Sequence, residues 1–329
     1  MAKNFTIVLG TLGMGLWRSH DGGMTWGRGK LWKGYQGGRS VYGLAYDPRD
    51  PKVMWAGADD GIYRSEDRGD NFEHVDSSMN AFRVWRIAID PVEPDTMFAG
   101  TGPAALFRSR DSGQHWEKLN AQFAAECPNV SEPRVLGLSV DPSDHRIVWS
   151  GVEVDFVRVS RDGGDTWERL HGGYLDEPDI HDTRAIPGKA GHAMVVIPEE
   201  IVVTSDAGRT WQALEVGKQL PPSMPYCRSV AFKEDDPDTV FAAVGDNALG
   251  CAGTIMRSRD GGHTWEQPYQ PFTPNTHIEW FATHPADRDL IVATSHYGQV
   301  FASSDGGDWW VKLPREFTEV RGAVAWVPN

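Results

Sequence analysis

The chain has 329 residues, 40% of them hydrophobic and 24% charged, and carries a formal net charge of −14. So acidic a surface repels phosphate backbones and anionic bilayers, which excludes nucleic acid and membranes as expected partners. Three cysteines without Cys-x-x-Cys spacing exclude a disulfide framework and a zinc ribbon, and no stretch reaches the roughly 18 apolar residues of a membrane-spanning helix.

The N-terminal MAKNFTIVLGTLGMGLWRSHDGG has one early lysine and a broken apolar run that leads straight into repeated structure. No secretory leader is expected, and the expected location is the cytoplasm. Strand-like runs begin with TIVLGTL and GLWRS, followed by the box SHDGGMTW (19–26). The next unit reads VYGLAYDP, VMWAGA, GIYRS, the box SEDRGDNF (65–72) and NFEHV. Further boxes are SRDSGQHW (109–116), SRDGGDTW (160–167), TSDAGRTW (204–211), SRDGGHTW (258–265) and SSDGGDWW (303–310). Their central acids are Asp21, Asp67, Asp111, Asp162, Asp206, Asp260 and Asp305, spaced by 46, 44, 51, 44, 54 and 45 residues. A period of about 40 to 50 residues signals a propeller or a solenoid. Each unit carries four short β-branched or aromatic runs bounded by Gly, Pro and Asp, which is the content of a propeller blade.

The fold class is therefore all-β: a seven-bladed β-propeller with four antiparallel strands per blade, A to D from the axis outward. Residues 1–329 are read as one domain. The first unit lacks strand A, and the tail VRGAVAWVP resembles VYGLAYDP, so the termini are expected to share one blade. The box is the C–D turn. Its Asp accepts turn N–H groups, the Gly two residues later supplies a left-handed backbone, and the closing aromatic fills the wedge between blades.

Alternating strands sort the connections onto two faces. The A–B turns (DPRDPK, DPVEPDT, DPSDHR, KEDDPDT, HPADRD) and the boxes are stereotyped and share one face. The other face carries the variable D–A loops LWKGYQGGRS, LNAQFAAECPNVSEPR, HGGYLDEPDIHDTR and QPFTPNTH, and the long B–C loop AVGDNALGCAGT. Function is expected there, at the channel mouth. Near the starts of strands A stand Arg39, Arg83, Arg134, Arg184, Arg228 and Arg321, with His277 in the remaining blade. Six guanidiniums around one mouth would form a funnel for a small anion; bridging of neighbouring blades by the same arginines is the structural alternative. His277, His296 and these arginines are the substrate-binding candidates. Acid–base candidates on this face are His181 and Asp179, Glu153, Glu279 and Tyr297. A His flanked by carboxylates suits a general base with an orienting acid, and a solvated loop His is its alternative. His277, Glu279 and His181 also suit a divalent ion, which the pattern does not favour; no metal ligand is assigned and the cofactor stays open.

The boxes resemble the Asp-box, or BNR, repeats of sialidase-like propellers. In that family Asn71, His115 and Trp309 stand where Thr is usual. The resemblance implies the propeller fold. Sialidases of this class are six-bladed and carry an Arg-Ile-Pro signature near the start, which this chain lacks; Arg184-Ala185-Ile186-Pro187 is a loose echo. Xyloglucanases of the class set catalytic acids between two seven-bladed propellers, and this chain supplies one. Single-domain BNR-repeat, YVTN-like glycosyl-hydrolase-type proteins share the alternation of Asp-Pro turns with boxes. The expected function is a hydrolase or lyase acting on a small carboxylate or sugar-acid substrate. The alternative is a non-catalytic binding or assembly propeller with an Arg-rich face.

Overall fold

The box turn is a closed hydrogen-bond circuit, built the same way seven times. The Ser or Thr that opens each box donates its hydroxyl to the central Asp at 2.7–2.9 Å. The same hydroxyl accepts the N–H of the box glycine two residues beyond the Asp, at 2.8–3.0 Å. The Asp then accepts the backbone N–H four residues on, at 2.8–3.0 Å. Where Thr follows, its hydroxyl takes the second carboxylate oxygen, as from Thr166 at 2.6 Å. Asn71 and His115 reproduce that contact with side-chain nitrogens, each at 2.6 Å. Bonds from Thr25 hold the Asp21 carboxyl down at about 2.

The computed structural model describes residues 5–32, 38–127, 132–173 and 175–329. Parts of three expected D–A loops, residues 33–37, 128–131 and Tyr174, lie outside the described residues, as do residues 1–4. Each box joins strands C and D of an antiparallel blade. Strands A are Val41–Asp47, Arg83–Ile89, Val135–Val140, Asp182–Ala185, Tyr226–Lys233 and Ile278–Ala282 for blades 2 to 7. In blade 1 the C-terminal Val324–Pro328 is strand A and pairs antiparallel with Phe5–Thr11, followed by Gly15–Ser19 and Gly27–Arg28. The ring thus closes within one sheet, as the termini predicted. In blade 6 the outermost strand shrinks to a single bridge between Arg257 and Glu266.

The core is a set of seams between blades. Residues of blades 4 and 5, Trp149, Val157, Val195 and Val202 among them, form one apolar cluster against which Trp211 packs. Equivalent clusters receive Trp26, Phe72, Trp116, Trp167, Trp265 and Trp310, so each box aromatic serves one seam. The box glycine serves the same seam from below. A Cβ on Gly164 of blade 4 would meet Phe98 of blade 3 at 2.7 Å, and one on Gly307 of blade 7 would meet Phe241 of blade 6 at 2.3 Å. Both glycines are left-handed, at φ 91° and 89°.

Strand A departs from regular pairing near its start in five blades. The register shifts lie between Val41 and Gly43, Val84 and Arg86, Val135 and Gly137, Cys227 and Ser229, and Ile278 and Trp280. A bulge leaves one residue unpaired and re-aims its side chain. The residues skipped are Tyr42, Trp85, Leu136, Arg228 and Glu279, and they set the site described next.

Candidate functional site at the propeller axis

At or near the start of every strand A a buried apolar residue turns into a seam: Val320, Val41, Val84, Val135, Ile180, Cys227 and Ile278, each at most 1% exposed. The residue after each one forms an inner ring, in blade order Arg321, Tyr42, Trp85, Leu136, His181, Arg228 and Glu279. One side of the ring is apolar. Tyr42, Trp85 and Leu136 from three successive blades form a cluster with Leu12, and the Tyr42 and Trp85 rings are 4.4 Å apart. The other side, from blades 5, 6, 7 and 1, is polar.

Glu279 is the centre of the polar side and has no solvent exposure. Its Oε1 accepts two bonds from Arg228, from Nε at 3.1 Å and Nη2 at 2.9 Å. Its Oε2 faces His277 Nε2 at 3.0 Å and His296 Nδ1 at 3.2 Å. Burial opposes the Glu279 charge, but Arg228 and the two imidazoles outweigh it and hold the carboxyl well below its ordinary range. Burial pulls His277 down, against the pull of Glu279, so this imidazole is neutral at pH 7. His296 behaves oppositely. Burial works against its charge, yet Glu279 on one nitrogen and Glu319 on the other, at 3.2 Å, raise it. Glu319 is itself held by Arg321 Nε at 2.5 Å.

His181 stands in the ring at blade 5. Its Nδ1 lies 2.6 Å from the Cys227 carbonyl, which can only accept, so Nδ1 carries a proton. Its Nε2 lies 3.3 Å from Asp179 Oδ2. Burial raises the Asp179 carboxyl, and the bond to His181 more than reverses this, so the group sits below its ordinary range. Tyr226 sits between the two histidine systems, its ring 5.0 Å from His181 and 5.1 Å from His277. His277 to His296 and His296 to Tyr297 continue the file at 4.9 and 5.0 Å. Burial pushes the Tyr226 phenol up to about 12.

The arginines expected at the mouth separate into different places. Arg228 and Arg321 belong to the inner ring. Arg134 pairs with Glu153 and lies 4.8 Å from the Trp85 ring. Arg83 pairs with Glu132, and Arg39 turns outward to Asp60 and the Tyr63 ring. Arg184 binds Asp182 at 3.0 Å and lies over Trp280 at 4.4 Å. Each of the six meets a carboxylate, and Arg184 lies toward the opposite face, so among the described residues the expected funnel of unpaired arginines at the mouth does not form. The ring residues fill the axis here; Asp179, Glu153, Arg134, Glu319 and Arg321 are its partly accessible rim.

One arginine on the axis escaped the sequence reading. Arg86 is 5% exposed and donates to the carbonyls of Leu136 at 2.5 Å, Tyr42 at 3.2 Å, Arg321 at 3.1 Å and Trp85 at 2.8 Å. It therefore ties blades 1, 2, 3 and 4 together across the axis, with its guanidinium 4.1 Å from the Trp280 ring. A Cβ at residue 322 would stand 2.8 Å from Arg86 Nη2, which is why glycine is found there. On the opposite, stereotyped face the axis opens into a cavity of about 420 Å³, whose lining includes Tyr46, Leu138, Arg184, Glu234, Trp280 and Val324.

Comparison with known proteins agrees with this architecture. The family model described as "Sortilin, neurotensin receptor 3" matches residues 60–170. A probable oligoxyloglucan-reducing end-specific xyloglucanase of Neosartorya fischeri is 26% identical over 241 residues, covering 70% of this chain and 27% of that protein. The chain thus spans about a quarter of the length of the curated relatives it matches first. The crystal structure of the GH74 xyloglucanase from Xanthomonas campestris superposes with a TM-score of 0.64 at 18% identity, covering 83% of this chain and 45% of that one. YCF48 bound to D1 peptide superposes at 0.54 and 14% identity, covering 85% of both chains. These similarities agree with the fold. Seven box circuits in a closed ring make the chain a propeller built on Asp-box turns, consistent with the BNR type. Its sequence relatives are glycosyl-hydrolase propellers. Within this Asp-box propeller, the boxes hold the seams, and the starts of strands A with the adjoining loops supply the axial cluster. Fixing the register on the apolar residue before each bulge would have picked out the inner ring, Arg228 and Glu279 included.

Proposed function

We propose that this Asp-box propeller is a hydrolase or lyase acting on a small carboxylate- or sugar-acid-type substrate at the mouth of the inner ring. The observation that supports it is the His277–Glu279–His296 cluster clamped by Arg228. It combines an imidazole whose pKa is lowered, a carboxylate held well below its ordinary range, and an imidazole whose pKa is raised, within one buried network. Paired titratable groups pushed in opposite directions are the usual preparation for acid–base chemistry. His277 is the general base, oriented by Glu279. The rim arginines Arg134 and Arg321 receive the substrate carboxylate by exchanging it for Glu153 and Glu319. Cys227 and Cys251 are thiols rather than halves of disulfides, which supports a reducing, cytoplasmic location.

The test is turnover of a panel of uronides, sialosides and sugar lactones, followed by NMR. A substrate in the panel should react, and His277→Ala should lower kcat by about 100- to 10,000-fold, the ordinary worth of a general base. A panel without turnover, or full activity in His277→Ala, rejects the proposal.

A second reading has an observation of its own. The axis is filled on this face, and the rim arginines Arg134 and Arg321 already have carboxylate partners, a surface suited to exchange with an acidic peptide. The peptide-bound YCF48 structure is matched over 85% of both chains. Saturable binding of an acidic peptide without turnover of any small molecule would favour this reading.

A further inference from the structure

We infer that His277 Nε2, His296 Nδ1 and Glu279 Oε2 form a binding site for one divalent first-row transition-metal ion of the zinc or iron class. The inference rests on reading the axial cluster as the working part of the molecule, but it concerns binding and is measured without turnover.

Geometry is the first ground. The three ligand atoms all lie within 4.8 Å of one another. The two contacts to Glu279 Oε2 are 3.0 and 3.2 Å. Adjacent ligands on an ion with bonds of about 2.0–2.2 Å stand roughly 3 Å apart, so small side-chain rotations admit the ion. Rigidity is the second. All three residues come from one blade and none is more than 2% exposed. The His296 N–H donates to the His277 carbonyl at 3.1 Å, and the Val320 N–H donates to the His296 carbonyl at 2.9 Å, which fixes the loop against strand A.

The outer contacts are the third ground, and they separate a metal site from a chance cluster. A metal-bound histidine normally donates its other ring nitrogen to a carboxylate, carbonyl or hydroxyl. His296 has Glu319 on its remaining nitrogen at 3.2 Å. His277 has Thr276 Oγ1 near its remaining nitrogen at 3.4 Å. Arg228 occupies Glu279 Oε1, so the carboxylate can bind an ion through Oε2 alone. Arg228 repels a nearby cation, and Glu319 and Asp179 supply the opposing charge. Two imidazoles and one carboxylate oxygen suit Zn(II), Fe(II) or Co(II) and are a poor set for Ca(II) or Mg(II), which require more oxygens.

The test uses the full chain without a histidine tag, stripped by chelator and titrated with Co(II), then Zn(II). One equivalent of Co(II) should bind with visible d–d absorption, and Zn(II) should displace it one for one. His277→Ala and His296→Ala should each abolish the absorption, while His181→Ala should bind as the parent does. Glu319→Gln, at a partly exposed position chosen to spare the fold, should weaken binding by about 10- to 100-fold. Circular dichroism of each metal-free variant confirms folding. Absence of saturable binding at one equivalent overturns the inference, as does binding that survives both His277→Ala and His296→Ala. Loss of binding in His181→Ala with retention in His277→Ala overturns the ligand set. Substrate turnover by the stripped chain would leave the proposed activity standing without the metal; metal binding without turnover of any panel substrate would do the reverse.

Discussion

Two neighbouring glycines in the fourth box allow the seam packing to be weighed separately from backbone strain. Gly163 and Gly164 are both left-handed, at φ 71° and 91°. A Cβ on Gly163 meets nothing within 4 Å, whereas one on Gly164 meets Phe98 Cε1 at 2.7 Å. In three of the six other boxes the equivalent of Gly163 is Arg68, Ser112 or Ala207, at φ 58°, 54° and 57°, so side chains are tolerated at that position. The equivalent of Gly164 is glycine in all seven boxes. A left-handed Cβ costs about 1–2 kcal/mol, partly offset by the stiffer unfolded chain. Overpacking a filled core adds about 1–3 kcal/mol. Gly163→Ala should therefore lose about 1 kcal/mol and Gly164→Ala about 2–5 kcal/mol. A chain of this length melts with an entropy of about 0.7 kcal/mol/K, so the expected falls in Tm are about 1–2 °C and about 3–7 °C. Calorimetry with urea unfolding on both variants measures the difference. Equal losses in the two variants would refute the claim that the second glycine exists to admit the preceding blade.

Three further outcomes follow from the axis and its surroundings. Glu279→Gln strands the buried Arg228 charge and should cost about 3–5 kcal/mol. The Glu279 carboxyl is depressed in the folded state, so its stabilisation is present above the ordinary value of 4.5 and is lost as pH falls toward the folded one; urea midpoints should decline below about pH 4 in the parent and stay flatter in the variant. His284 is lowered to about 4 by burial, and its bare Nδ1 accepts the Ala286 N–H at 3.0 Å. A depressed histidine stabilises above its unfolded pKa and loses that contribution as pH drops, so the parent should weaken between about pH 6.5 and 4; His284→Asn, which keeps an acceptor in place, should remove that slope, and NMR of the imidazole should show it neutral at pH 5.5. Arg86→Met leaves carbonyls of four blades without their donor, and at about 1–3 kcal/mol for an unsatisfied buried group the melt should fall by at least about 2 kcal/mol.

The ring of seven blades was legible because turn chemistry is local. Ser, Asp and Gly at fixed offsets close one circuit within eight residues, and tertiary context cannot hide it. Closure between the two termini was legible because VRGAVAWVP repeats the strand A pattern. The axis was harder to read. Simple alternation places Arg39, Arg83 and Arg134 at the starts of strands A, but each lies one or two residues before the apolar residue that faces the seam. The following bulge then turns Tyr42, Trp85 and Leu136 inward in their stead. Only Arg228 and Arg321 of the expected arginines occupy the ring. His277 and Glu279, two residues apart, do meet as expected. Arg86 went unnoticed because its role depends on carbonyls from other blades, and those have no signature in the sequence around it. The cavity on the stereotyped face is likewise a product of assembly, since its walls are the far ends of seven separate strands.

The pairing of Val324–Pro328 with Phe5–Thr11 also governs the order in which the molecule can come into being. A nascent chain emerging from the ribosome can stack blades 2 to 7 one upon another, but blade 1 waits as a three-stranded sheet until Val324–Pro328 arrives to latch it. Until then the Arg86 guanidinium lacks the Arg321 carbonyl and His296 lacks Glu319, so the axial network is complete only once the ring has closed.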